Sequence, residues 1–231
     1  MSLKPETSTH LIKGLLGLIC LVASAVLVAD EPPEVTEEGL ERVPGSEWGL
    51  VYVLPGADFS GYDAVHLMEP EIAFRDNYRR DMNRGSGSMR ITQSDMDRIR
   101  RSLATQFDEV FTSVFEEDDS WSVTDTPGEN VLTLQPSIVN LDPTAPDVNN
   151  AARNRTYAES AGEMTLYLEI HDSTTGALIA KGLDRKEDRR RGYMQWQSRA
   201  SNKAAADKAI RSWATSLRDG LNAARDAGKA E

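Results

Sequence analysis

Apolar residues recur at two spacings along this chain, and the switches between them outline its elements. Between Thr92 and Asp118, Met96, Ile99, Leu103, Phe107, Val110, Phe111 and Val114 return every three or four positions, which predicts an amphipathic helix with those side chains on one stripe. Thr92 and Asp95 have the spacing of a capping pair at its start. The aromatic members of the stripe read as a core face packed on a sheet. Further on the spacing changes to two: Met164, Leu166, Leu168 and Ile170 alternate with Thr165, Tyr167, Glu169 and His171, the pattern of a half-buried strand. Asp172 to Gly176 (DSTTG) predicts a tight turn, with a return strand from Ala177 to about Asp188. Helical spacing resumes between Ser201 and Ala227, where Ala206, Ala209, Ile210, Trp213, Leu217, Leu221 and Ala224 share a side.

Shorter apolar runs fill the rest. WGLVYVL (48–54) stops at Pro55-Gly56, a strong turn signal. Residues 62–74 read as a strand in which Pro70 requires an edge position or a bulge. A polar loop over 75–90 follows. Beyond the first helix, 121–124 is a short strand, 131–141 a strand interrupted by Pro136, and 142–159 a long loop. This order predicts an α+β fold: one mostly antiparallel sheet with two long helices packed on one face, in a single domain over 48–227.

The N-terminus has a different character. Lys4 and Lys13 precede an uncharged run from Gly14 to Ala29, and acidic residues follow at once. That layout predicts a signal peptide over 1–29, or an uncleaved signal anchor giving membrane contact, and hence an exported, periplasmic or envelope-associated protein. Cys20, the single cysteine, falls inside the run, so no disulfide partner exists. A lipoprotein would be lipidated there, but Ile19 occupies the preceding position, where a small residue is wanted. Of the 26 basic and 37 acidic side chains only Lys4, Lys13 and Glu6 lie in the first 29 residues, so the remainder carries a net charge of −12. Such a charge excludes nucleic acid as a general partner. Residues 30–47 (DEPPEVTEEGLERVPGSE), with seven acids and one Arg, read as an acidic, disordered tether.

Four short motifs carry a resemblance: Leu54-Pro55-Gly56-Ala57-Asp58-Phe59-Ser60-Gly61-Tyr62, Ser160-Ala161-Gly162-Glu163-Met164-Thr165, Asp172-Ser173 with Thr175-Gly176, and Trp213-Ala214 with Leu217-Arg218. Together they make the region from about Trp48 to Asp219 resemble a family of bacterial envelope proteins catalogued as domain of unknown function 3313. The resemblance implies an exported domain, often a lipoprotein, with no established activity and no catalytic motif to carry across.

Candidate chemistry is sparse. No phosphate loop, dinucleotide fingerprint or nucleophile elbow occurs, so no catalytic residue and no cofactor is assigned. Three histidines (His10, His66, His171) without a second-region cysteine do not compose a zinc site, so no metal is expected. Pro55, Gly56, Asp58, Gly61, Gly162, Glu163, Asp172 and Gly176 read as turn-building residues. Asp58, Glu69, Glu71 and Glu163 are the carboxylates for an alternative reading as a hydrolase of envelope polymers. Two segments stand out against the negative background, 75–90 and 184–199, each of net charge +3. Arg75, Arg79, Arg80, Arg189, Arg190 and Arg191, flanked by Tyr193 and Trp196, could gather into one surface whose guanidinium forks suit phosphate or carboxylate. The expectation is a non-enzymatic module that binds an envelope protein or an anionic envelope component. A structural subunit of an envelope complex is a further alternative, marked by a broad exposed apolar patch.

Overall fold

The computed structural model describes residues 31–84, 90–117, 119–143, 156–158, 160–189, 195–197 and 199–229. The elements run β1 (Glu41–Arg42), β2 (Leu50–Val53), β3 (Ala64–Leu67), β4 (Glu71–Phe74), α1 (Tyr78–Met82), α2 (Gln93–Phe115), β5 (Ser122–Val123), β6 (Val131–Pro143), β7 (Thr156–Ala158), β8 (Ser160–Asp172), β9 (Leu178–Arg189), β10 (Gln195–Gln197) and α3 (Arg199–Lys229). The expected signal segment lies outside the described residues. Among the described residues no helix is long and apolar enough to cross a membrane.

The class is α+β. One eight-stranded sheet has the order β1-β2-β9-β8-β6-β3-β5, with β4 also paired to β6. It is mixed: pairings from β1 to β6 are antiparallel, whereas β3 and β4 lie parallel to β6 and β5 parallel to β3. The hairpin β8–β9 turns where the sequence predicts. Gly176 takes a positive φ of 71° and donates its N–H to the Asp172 carbonyl at 2.8 Å. The period-two pattern sets the register, so that Ile138, Leu166 and Asp184 form one cross-strand row, and Pro136, Leu168 and Gly182 the next. Buried side chains of these rows join Phe107, Phe111 and Val114 of α2 and Ile210, Trp213 and Leu221 of α3 in one apolar cluster. α2 begins at the expected Thr92–Asp95 capping box.

Two prolines shape the sheet together. Residues 62–74 form two strands rather than one, because β3 ends at Leu67 and β4 starts beyond Pro70. β6 nevertheless carries Pro136 in its middle with neighbours on both sides. Backbone groups of alternate residues point to the same side of a strand, and the Leu134 carbonyl accepts the Met68 N–H at 2.9 Å. The Pro136 nitrogen therefore faces the gap between β3 and β4, where no ladder bond is lost.

The segment before β2 departs from expectation. Of the segment 30–47 expected as a disordered tether, residues 33–47 are bound to the sheet: Glu41 and Arg42 pair with Val53 and Tyr52, and Leu40 is fully buried. The Tyr52 hydroxyl donates to the Pro33 carbonyl at 2.9 Å, and Lys181 Nζ meets Glu38 Oε2 at 2.8 Å. The Lys181 contact, with the Thr36 hydroxyl, holds the Glu38 carboxyl down at about 2. Composition suggested a tether because the apolar anchor is one leucine and the charge partner stands 143 residues away. Two further segments expected as loops contain structure: α1 lies within 75–90, and β7, paired to β10, within 142–159.

Gly182 is set by Trp48. A Cβ there would come 2.7 Å from Trp48 Cε3. Gly182→Ala forces the indole off its site and should lower stability by about 1–3 kcal/mol in urea unfolding. An unchanged midpoint would mean the ring moves freely.

Candidate functional site

The two basic segments leave the sheet at one end. β4 runs parallel to β6, so Phe74 lies beside Leu141, and β9, antiparallel to β8, ends with Arg189 beside Ser160 while Pro143 of β6 lies beside Gly162. The ends of β4, β6 and β9 and the start of β8 thus converge. Arg190, Arg191 and Tyr193 lie outside the described residues; Trp196 is in β10, opposite Tyr157 of β7.

The described arginines divide into two kinds. Arg75 is a clamp, donating from Nε to Asp142 at 2.7 Å and from Nη1 to Asp81 at 2.9 Å, with its guanidinium over the Tyr78 ring. Asp81 is held below the usual carboxylate range chiefly by that Arg75 contact. Tyr78 in turn stacks on Phe74 and donates its hydroxyl to the Pro143 carbonyl. Arg75 therefore fastens α1 to β6 rather than facing a ligand. Arg79 and Arg80 of α1 are exposed, held by the Gln93 amide at 3.3 Å and Asp81 at 3.4 Å respectively.

At this same end a cleft of about 420 Å³ opens between α2, α3 and the sheet, within the size range of small-molecule sites. Ile99, Leu103, Leu141, Met164, Ala206 and Ala209 give it an apolar lining. Its charged lining is Arg98, Lys186, Lys203 and Lys208 against Glu163 and Glu187. Four of these groups are already committed: Glu163 and Glu187 pair with Arg185, Lys186 with Asp184 at 2.8 Å, and Arg98 with Asp95 at 2.5 Å. Lys203 and Lys208 are exposed, and no carboxylate among the described residues pairs with them. The Gln106 amide donates to the Lys203 carbonyl at 2.8 Å and fixes α2 to α3 beside the opening.

The turn-building residues work as frame. Gly56 takes a φ of 73° after Pro55, and Ala57 N–H bonds the Leu54 carbonyl. Asp58 Oδ1 accepts the Ser60 N–H at 2.8 Å, ahead of Gly61, and its carboxyl is lowered by that bond. Gly162, at a φ of 137°, lies so close to β6 that a Cβ would stand 2.7 Å from the Asp142 carbonyl oxygen. Asp172 accepts from Thr175 and Thr174 and from the Tyr62 hydroxyl at 2.7 Å.

These placements hold Asp58 and Glu163 at opposite ends of the sheet. Asp58 acts on Tyr62 and hence lies at the Asp172 end, whereas Glu163 begins β8 at the other, roughly 30 Å away at ~3.3 Å per residue. Glu71 is beside Ser137 in mid-sheet, and Glu69 is exposed just before it. His66 and His171 flank Thr133 on strands two spacings apart, and among the described residues no three His, Cys, Asp or Glu side chains gather into a group that could hold a metal ion. The large apolar side chains exposed among the described residues are Val35, Val43, Met68 and Leu183.

Residues 35–217 match the family model described as protein of unknown function (DUF3313). The chain belongs to the DUF3313 family. No curated protein matches it. Among solved structures it is similar to a PelC dodecamer from Paraburkholderia phytofirmans, at 8% identity over 73% of this chain and 96% of that one, with a TM-score of 0.37. It is also similar to protein XCC0632 from Xanthomonas campestris, at 12% identity over 71% and 85%, with a TM-score of 0.36. A third likeness is a neuraminyllactose-binding hemagglutinin homolog from Helicobacter pylori, at 12% identity over 74% and 92%, with a TM-score of 0.37. TM-scores this low carry no argument about activity. In this DUF3313 chain the four motifs fall in the β2–β3 loop, the start of β8, the β8–β9 turn and α3, and the cleft opens beside the second of them.

Asp172 gives the frame a pH signature. Hydrogen bonds from Thr175, then from Tyr62, hold its carboxyl at about 2 instead of 3.8. A depressed carboxyl stabilises the fold above its unfolded value and loses that contribution as pH falls through the folded one. Stability should therefore fall between about pH 4 and pH 2, and Asp172→Asn should flatten that fall in urea midpoints taken across the range. An equally steep fall in the variant would assign the acid sensitivity to other groups.

Proposed function

We propose that this chain is a non-enzymatic binding module of the cell envelope that takes an anionic envelope component at the cleft-bearing end of its sheet. One observation carries the reading. In a chain of net charge −11, the basic groups of α1 and those of the cleft, Lys203 and Lys208 among them, belong to the same end of the sheet. Cations clustered in this way attract an anion locally even where the molecule as a whole repels it. Paired acid and base work needs two carboxylates on one substrate; Asp58 and Glu163 are separated, and Glu69 and Glu71, though two positions apart, do not line the cleft, which favours binding over hydrolysis there.

The test is retention of the full chain on immobilised phosphate at low salt. The wild type should be retained despite its acidity, and a variant with Arg79, Arg80, Lys203 and Lys208 all changed to Glu should pass through. Wild-type protein in the flow-through would remove the reading.

A further inference from the structure

The cleft lining carries more than charge. α3 changes character along its length: toward the sheet interior it presents Ile210, Trp213 and Leu221, all buried, whereas at the cleft it presents Ala205, Ala206 and Ala209. Protein interiors are packed to crystal-like density, and an apolar void forfeits contacts that larger side chains would make. Here the alanines leave about 420 Å³ open to the outside over Leu103, Leu141 and Met164. At ~30 Å³ for a water-sized group, that space holds roughly a dozen methylene-sized groups. A compact hydrophilic anion would leave this apolar surface wet, so charge alone does not account for the site.

Resting on the anion-binding reading, we infer that the cleft takes a single-chain anionic amphiphile, its alkyl chain over Leu103, Met164, Ala206 and Ala209 and its charged head at Lys203 and Lys208. The lysine pair supplies the complementary charge. Of the two cleft carboxylates, Glu163 is neutralised by Arg185, which lessens repulsion of the head. The volume suits one chain better than the two of a bilayer phospholipid.

Calorimetric titration of the full chain below micelle-forming concentrations separates the alternatives, with dodecyl phosphate, glycerol phosphate and dodecyl maltoside as probes. Dodecyl phosphate should bind at least tenfold more tightly than glycerol phosphate, since burial of a few methylenes already exceeds that factor. Ala209→Trp, which fills the cleft, should reduce dodecyl phosphate binding to the glycerol phosphate level. Ser102→Trp, at an exposed lining position, should do the same and covers the case in which the first variant fails to fold. Equal binding of glycerol phosphate and dodecyl phosphate would overturn the chain-binding inference and leave the anion reading standing. Equal binding of dodecyl maltoside would overturn the requirement for charge, and undiminished binding in both filled variants would put the amphiphile elsewhere on the protein. Failure of retention on immobilised phosphate would remove the underlying reading itself.

Discussion

Asp184→Ala should destabilise the fold by about 2–4 kcal/mol, more than most single substitutions in a chain of this size. The carboxylate is almost wholly buried and serves three groups, one of them on α3. Its Oδ1 accepts the Gly49 N–H at 3.0 Å, its Oδ2 accepts Trp213 Nε1–H at 2.9 Å, and Lys186 Nζ stands 2.8 Å from Oδ2. Removing it strands the Trp213 indole N–H away from water, and a stranded buried donor costs about 1–3 kcal/mol, whereas the Gly49 N–H sits at an exposed residue and loses less. It also leaves Lys186 without its counter-charge. Asp184→Asn should cost less: one acceptor survives, but the amide NH₂ then meets one of the former donors. A double-mutant cycle isolates the tie to α3. In a Trp213→Phe background the alanine change should cost at least ~1 kcal/mol less, because the indole donor is already gone. Urea unfolding measures both. A loss below ~1 kcal/mol for Asp184→Ala in the wild-type background would mean that α3 is held by packing alone.

The second large effect concerns the segment before β2. Leu40 has no exposed surface, and Leu40→Ala should cost about 2–5 kcal/mol, the range for a large-to-small change in a packed site. A chain starting at Trp48 should lose at least as much. It gives up Leu40, the β1 pairing and the Glu38–Lys181 contact together, and uncovers Tyr52, which is 7% exposed in the intact protein. Thermal unfolding of the two truncation lengths, one starting at Glu31 and one at Trp48, reads the difference directly. Equal midpoints would restore the tether interpretation.

Local pattern was sufficient for α2, the β8–β9 hairpin and α3, because each carries its period within its own stretch: the Phe107–Phe111 stack and the Met164-to-Ile170 alternation need no distant partner to be recognised. Elements whose reason lies elsewhere were not legible. The pairing of β1 depends on Leu40 and Lys181, and the tolerance of Pro136 depends on the break at Pro70, one strand over. The candidate site followed the same division. The positive segments were visible as charge, but the clamp role of Arg75 required Asp142 from β6, 67 residues away. The apolar half of the site was missed altogether, since Leu103, Met164 and Ala206 look like ordinary core positions until α2 and α3 stand apart over them. The signal that could have exposed it is the abrupt change along α3 from Ala205, Ala206 and Ala209 to Trp213, Leu217 and Leu221, a helix face too small at one end to fill the space its other end fills.

The paired prolines have a bearing on motion. Ladder bonds between β6 and its parallel neighbours are interrupted at Glu69–Pro70 and Pro136, and β6 bulges again near Asn140, which takes a φ of 54°, just before Leu141 and Pro143 reach the cleft. Local opening proceeds most readily where few ladder bonds must break. Amide exchange would accordingly divide this sheet into a slow block around β8 and β9 and a faster margin formed by β4 and the last residues of β6. Of that margin, Leu141 and Pro143 line the cleft, so its wall on that side should exchange before the β8–β9 block does.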